Sequence, residues 1–198
     1  MIKNITMESE AKDFAVRLVN QNDCVRIWEI KNHPIVRANS NNQEEVSFAS
    51  HKLWFDKKYF SGADNHCYVL ESKVGKVIGY CRFDYKAEDD AYITSIALDP
   101  EYHGHGLGSV LLKESLSQFG HGHGKKILAE IKKDNIPSMK LFKKNNFEIY
   151  GEDDINYYLL VFNTPSACGG GSSLRGFIAS NTIVKLRQNQ EVVDFQIR

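Results

Sequence analysis

The chain has 198 residues, 42% of them hydrophobic and 25% charged, which is enough to build one domain around a real core. Twenty-five basic residues balance twenty-five acidic ones, so the formal net charge is zero. That balance argues against a nucleic-acid binder, which normally shows a basic excess, although it leaves room for a local basic rim. The four cysteines are scattered without a CxxC pair, so neither a metal knuckle nor a disulfide framework is expected. With no signal peptide or long apolar span visible, the expected setting is the cytoplasm, away from membranes.

In chain order, Phe14 to Val19 reads as a first strand. Asp23 is placed to cap a helix carrying Val25, Ile27, Trp28 and Ile30. Asn42 is expected to cap a longer helix with Val46, Ala49, Leu53 and Trp54 on or near one face. Cys67 to Glu71 and Lys76 to Asp84 look like a hairpin about Lys73-Val74-Gly75, and Tyr92 to Leu98 is the next strand. A glycine loop then leads into a helix running to about Phe119. Lys126 to Ile131 reads as a strand, and Pro137 to Asn146 as a helix with proline near its first turn. Phe147 to Gly151 and Asn156 to Phe162 look like the last two strands. From Asn163 the composition changes to a Gly/Ser-rich linker, and residues 183 to 198 alternate enough for a hairpin about Gln188-Asn189-Gln190. The expected division is a domain over 1–162 and an extension of open role over 163–198.

The most informative stretch is Ile96-Ala-Leu-Asp-Pro-Glu-Tyr-His-Gly-His-Gly-Leu-Gly108. A strand that feeds a glycine loop opening a helix is a built-in anion site. The first amides of the helix lack internal partners, the helix dipole adds positive charge, and glycines let backbone approach a phosphate closely. A plain strand-to-helix turn has the same local signature. The order Gly104-x-Gly106-x-Gly108 matches neither the P-loop nor the dinucleotide fingerprint. Two His-Gly-His triplets (His103 and His105, His121 and His123) lack a suitably spaced carboxylate or cysteine, so no metal is expected.

His103-Gly-His-Gly-Leu-Gly108, together with Asn135 and the later Leu141-Phe142 and Phe147, resembles the paired motifs of the GNAT acetyltransferase superfamily. The resemblance runs over roughly residues 13 to 162. It implies an α/β (α+β) fold, with a mixed central sheet of about six to seven strands flanked by about four helices and splayed between the fourth and fifth strands. It also implies acetyl transfer from acetyl-CoA to an amine. By position, Ile96, Ala97 and Leu98 would pair with the pantetheine arm, the Leu98 amide meeting the thioester carbonyl. Loop amides of His103, Gly104, His105, Gly106, Leu107, Gly108 and Ser109 would hold the diphosphate. Asn135 and Ser138 would meet the distal pantetheine and adenosine, although Asn135 reads equally well as a helix cap. Two departures stand out. His103 replaces the usual Arg or Gln, which removes a permanent cation, and Phe142, beside the cofactor, replaces a tyrosine that often acts as general acid. Asp90 and Asp84 are the base candidates, Asp90 also reading as a solvated turn carboxylate.

Three further stretches, Asn32 to Ser40, His51 to Phe55 and Ile78 to Asp84, look like the branch that N-acetylates nucleotide-linked amino sugars, as in pseudaminic acid biosynthesis. Arg37 would then pair with a diphosphate, His51 with a hydroxyl, and Trp54 and Phe55 would offer flat faces, each with an ordinary core or surface role as the alternative. Acetylation of a protein N-terminus or another small amine, and a catalytically silent acyl-CoA-binding module, are the rival readings. A homodimer is compatible with the sequence.

Overall fold

The computed structural model describes residues 13–120 and 125–162. The expected linker, terminal hairpin and second His-Gly-His triplet lie outside them. Seven strands form one mixed sheet in the order β1-β2-β3-β4-β5-β7-β6. They are β1 (Phe14–Leu18), β2 (Asn65–Ser72), β3 (Val77–Lys86), β4 (Ala91–Leu98), β5 (Lys126–Lys132), β6 (Glu148–Glu152) and β7 (Asn156–Phe162). Five α-helices occur among the described residues, one more than expected: α1 (Cys24–Asn32), α2 (Pro34–Ala38), α3 (Phe48–Phe60), α4 (Leu107–Gly120) and α5 (Ile136–Lys144). None is long and apolar enough to cross a membrane.

The helix entries show where local signals compete. Before α1, the Asn20 side chain accepts from the Asn22 amide (2.9 Å), and the Asp23 carboxylate accepts from the Asn20 amide (2.7 Å). Asn20, not Asp23, therefore supplies the cap, while Asp23 closes the box and takes Arg17. Next, α1 must stop before Pro34, which forces His33 into an extended conformation (ψ 130°). That proline then opens α2 at its first turn, with the His33 ring accepting from the Ile35 amide (3.2 Å). Asn42 does not start the long helix. Its side chain accepts from the Glu44 amide in a tight turn (2.9 Å), and Ser47 caps α3 instead, accepting from the Ser50 amide (3.2 Å). Val46 is held out of the helix because Asn32 takes both of its backbone polar groups, at 2.8 and 3.0 Å, while the Trp28 indole donates to the Val46 carbonyl (2.7 Å).

One face of the sheet packs on α4, where Leu107, Leu111, Leu112 and Phe119 meet Phe83, Tyr92 and Ile127. Phe119 stacks on Phe83 with ring centroids 4.4 Å apart. The other face packs on α1 and α3 through Ile27, Ile30, Phe55, Val69 and Tyr80. Burying each such side chain stabilises the fold by about 1.5–3 kcal/mol. Strand β4 is shared by both layers and is antiparallel to β3 along its whole length, from Gly79↔Leu98 to Lys86↔Ala91. Gly79 permits that contact, since a Cβ there would sit 2.3 Å from the Leu98 side chain. Against β5, however, β4 pairs only at Ala91↔Lys126, Tyr92↔Ile127 and Ile93↔Leu128. Beyond Ile93 the two parallel strands part, and that gap positions everything that follows.

Candidate functional site

Backbone parity decides which groups of β4 face the gap. The Asp99 amide donates to the Ile78 carbonyl on the β3 side (2.8 Å). Successive residues of a strand turn their N–H and C=O groups to opposite edges. Residues Ala97 and Ser95 therefore address β3, and Ile96 and Leu98 address the gap. Ala97, expected to pair with a ligand, turns its amide and carbonyl to β3 instead. Its methyl packs with the α1 and α3 layer, while Ile96 and Leu98 lie in the α4 layer.

The loop after β4 begins with Asp99, whose carboxylate accepts from the Glu101 amide (3.1 Å) and is paired with Arg26. His103 then folds back, and its ring Nε2 lies 3.1 Å from the Leu98 carbonyl. A carbonyl only accepts, so Nε2 must carry the proton. The side chain that replaces the expected Arg or Gln thus ties the loop to the strand end. Gly104 (φ 83°) and Gly106 (φ 75°) both occupy the left-handed region, and a Cβ at Gly104 would meet nothing within 4 Å. Glycine is required there for backbone conformation, not for space. Among the described residues, the amides of Gly104, His105, Gly106, Leu107 and Gly108 donate to no protein acceptor. They leave a run of free donors at the N-terminus of α4, where backbone amides and the helix dipole favour an anion such as a diphosphate. The Ser109 amide differs, because it already donates to the Gly106 carbonyl (3.0 Å). Gly108 lies at van der Waals distance from α5, where a Cβ would sit 3.5 Å from the Leu141 side chain, an ordinary contact.

The second motif is mostly structural in its side chains. Asn135 caps α5, its Oδ1 accepting from the Ser138 amide (3.1 Å). Phe142 is buried edge-on against Phe147 (4.9 Å), in the core under α4, and has no proton to give.

The two expected base candidates fall away from the gap or into ion pairs. Asp90 (φ 44°) lies before the start of β4, and the strand of eight residues spans roughly 25 Å to the loop. It accepts from Lys125 (2.9 Å) and the Tyr85 hydroxyl (2.8 Å), which hold its carboxyl below the usual range. Asp84 does lie on the face covered by α1 and α3, opposite Ile93. It lies on β3, one strand from the gap, and faces Arg82 at 3.5 Å and Lys58 at 3.7 Å.

His51 is 1% exposed, packed between Trp54 and Phe55, and burial pushes its imidazole down to about 4. A side chain so enclosed cannot meet a hydroxyl of a bound ligand, and Phe55 is fully buried beside it. Trp54 remains half-exposed, with the Arg82 guanidinium 5.2 Å and the Lys31 ammonium 5.5 Å from its ring centre. Arg37 donates weakly to the Gln43 carbonyl (3.4 Å), and its buried Nε has no hydrogen-bond partner.

Glu130 was not singled out from the sequence. On β5 it lies two residues past Leu128, level with Ser95 across the gap and on the same face. It accepts from the Asn156 amide group (2.8 Å), and burial, followed by the charge of Asp153, raises its carboxyl pKa. A lone carboxylate inside the apolar run Ile127 to Ile131 is the signal that marks it. Among the described residues, no group of three or more His, Cys, Asp or Glu side chains is arranged to hold a metal ion.

The Acetyltransferase (GNAT) family profile matches residues 25–147. A Bacillus subtilis (strain 168) protein, whose curated name assigns it provisionally as a ribosomal protein bS18-alanine N-acetyltransferase, is 33% identical over 91 residues. That match covers 46% of this chain and 59% of the relative's length. The Escherichia coli (strain K12) L-amino acid N-acyltransferase MnaT is 27% identical over 141 residues, covering 68% of this chain and 80% of MnaT. In fold, the chain is similar to the spermidine N-acetyltransferase from Vibrio cholerae solved with CoA and spermine, at TM-score 0.67 and 16% identity, over 77% of this chain and 96% of that one.

Proposed function

The chain belongs to the GNAT acetyltransferase family, whose cosubstrate is acetyl-CoA, and on that premise we propose that it transfers the acetyl group to the amine of a small acceptor. The observation that carries this reading is the row of undonated amides from Gly104 to Gly108 at the foot of a gap between β4 and β5. The loop amides receive the diphosphate, and the amides of Ile96 and Leu98 are the main-chain donors along the gap. Bound there, acetyl-CoA supplies an activated thioester. The Leu98 and Ile96 amides serve its arm and the carbonyl oxygen on which negative charge develops.

An amine attacks only when neutral. Glu130, with its raised pKa, is the group beside the gap best matched to take the proton of an incoming ammonium. Phe142 can donate no proton, so the CoA sulfur leaves as the thiolate.

The acceptor enters from the α1 and α3 face, where Trp54, Arg82, Ser95 and Glu130 are arrayed. A nucleotide-linked amino sugar is the finer reading. The partly exposed ring of Trp54 and the unpartnered Nε of Arg37 support it, offering a stacking face and a phosphate donor. The curated names of the two relatives favour a second reading, the α-amine of an amino acid or of a protein N-terminus. CoA release from acetyl-CoA, followed across nucleotide amino sugars, amino acids and peptides, separates the two. Acetyl-CoA binding without turnover on any amine would leave only a silent acyl-CoA-binding module.

A further inference from the structure

On the face of the sheet opposite α4, one strand away from the gap, three cations surround a single carboxylate. Among the described residues, Asp84 is the carboxylate that Lys58 and Arg82 pair with, and its contacts are long: 3.7 Å to Lys58 and 3.5 Å to Arg82. Arg82 Nη2 reaches the Ser95 hydroxyl only at 3.5 Å. Arg82 Nε and Asp84 Oδ1 are both buried without a hydrogen-bond partner. Lys31 and Arg82 share the ring of Trp54 at 5.5 and 5.2 Å. Burial, and then the charge of Arg82, lower the pKa of Lys31, which is the behaviour of a cation held near another cation. A quarter of the Arg82 side chain is exposed, so the cluster can be reached from solvent.

Such an arrangement is costly unless something completes it, because a buried donor without an acceptor and two like charges around one ring both oppose folding. An anion set against Arg82 and Lys31 would satisfy both at once, with charge-assisted hydrogen bonds. The ladder places this spot well. Arg82 is directly opposite Ser95, and Ser95 faces Glu130 across the gap.

We propose that Arg82 and Lys31, stacked on Trp54, form an acceptor subsite for an anionic group, so that the amine substrate carries a carboxylate or phosphate close to its reactive nitrogen. This rests on the acetyl-transfer reading above and narrows it. The amine lies at the Glu130 side of the gap and the anion one strand away, at Arg82. Polyamines, cationic along their length, are excluded as acceptors by the same cluster.

The test uses the full chain with acetyl-CoA and matched acceptor pairs: glucosamine 1-phosphate against glucosamine, and alanine against alaninamide, with spermidine as the cationic control. The anionic member of one pair should be preferred in kcat/KM by about tenfold or more. Arg82→Gln should collapse that ratio towards one, Arg82→Lys should keep part of it, and the acetyl-CoA affinity of both variants should match the parent. Which pair shows the preference tells a carboxylate from a phosphate. Equal rates within both pairs, spermidine as the best acceptor, or a preference that survives Arg82→Gln would overturn the subsite while leaving acetyl transfer standing. If no amine is turned over, the acetyl-transfer reading fails separately. The subsite is then judged by calorimetric titration of the CoA-saturated chain with glucosamine 1-phosphate and with alanine. Heat that disappears in Arg82→Gln supports it, and no heat in the parent rejects it.

Discussion

Two arginines on neighbouring parts of the sheet are treated in opposite ways. Arg17, on the outer strand, makes three hydrogen bonds of 2.7–2.9 Å, two to Asp23 and one to Glu71. Arg82, on β3 one strand from the gap, is held by contacts of 3.5 Å, and its buried Nε faces Asp84 without a hydrogen bond. The first is a closed circuit that fixes the entry to α1 against the sheet. The second has capacity left over. The same contrast runs through the carboxylates. Asp90 is matched by Lys125 and Tyr85 far from the gap, whereas Glu130 has its pKa raised beside it. Fully paired charges hold the fold in this molecule, and the loosely paired Arg82 and the pKa-raised Glu130 mark the place where we propose that a ligand is handled.

The sharpest way to break that contrast is at the carboxylates. Glu130→Gln should lower kcat by about a hundredfold and remove the acidic limb of the pH–rate profile, with acetyl-CoA affinity unchanged. A loss of only a few-fold would return Glu130 to the structural class. At the loop, Gly104→Ala should weaken acetyl-CoA binding by about tenfold. A left-handed backbone costs a Cβ-bearing residue about 1–2 kcal/mol even in open space, and the cradle opens to relieve it.

Stability should respond to the saturated set instead. Arg17→Met should cost about 1–3 kcal/mol in chemical denaturation, because Asp23 is left buried without its cation. Glu71, whose pKa Arg17 lowers, adds stability above its unfolded pKa that is lost as the pH falls through the folded one. His51 acts in the same acid range for another reason. Folding lowers its pKa from 6.5 to about 4, so below pH 6.5 the unfolded chain binds more protons. Stability then falls progressively until about pH 4, by roughly 3 kcal/mol in all. His51→Leu should flatten that part of the pH–stability curve. The smallest effect belongs to Asp90→Asn, which should change turnover by about twofold or less, as befits a surface carboxylate.

The strands and the glycine loop were legible in the sequence because their signals are local: alternation, a turn glycine, and a proline followed by spaced glycines. The entry to α3 was not, because Asn32 and Trp28 reach across to capture the backbone of Val46. The short α2 was missed because Pro34 ends one helix and starts the next within two residues. Among the residues expected at the cofactor, the amides of Gly104 to Gly108 carry no protein acceptor among the described residues, whereas the Ser109 amide turns back on Gly106. Ala97 failed on parity, a property of the strand edge that residue type does not encode. His51 and Trp54 sit in one helical turn, yet one is enclosed and the other half-exposed, which only packing decides. Glu130 and Arg82 fall at one level and on one face of the sheet through strand register, and no spacing in the chain announces it.

The central claim is tested most directly by calorimetric titration of the folded chain with acetyl-CoA, beside Gly104→Ala. Saturable binding in the micromolar range, weakened by about tenfold in the variant, is the predicted result. No uptake by the parent chain at millimolar acetyl-CoA would contradict it.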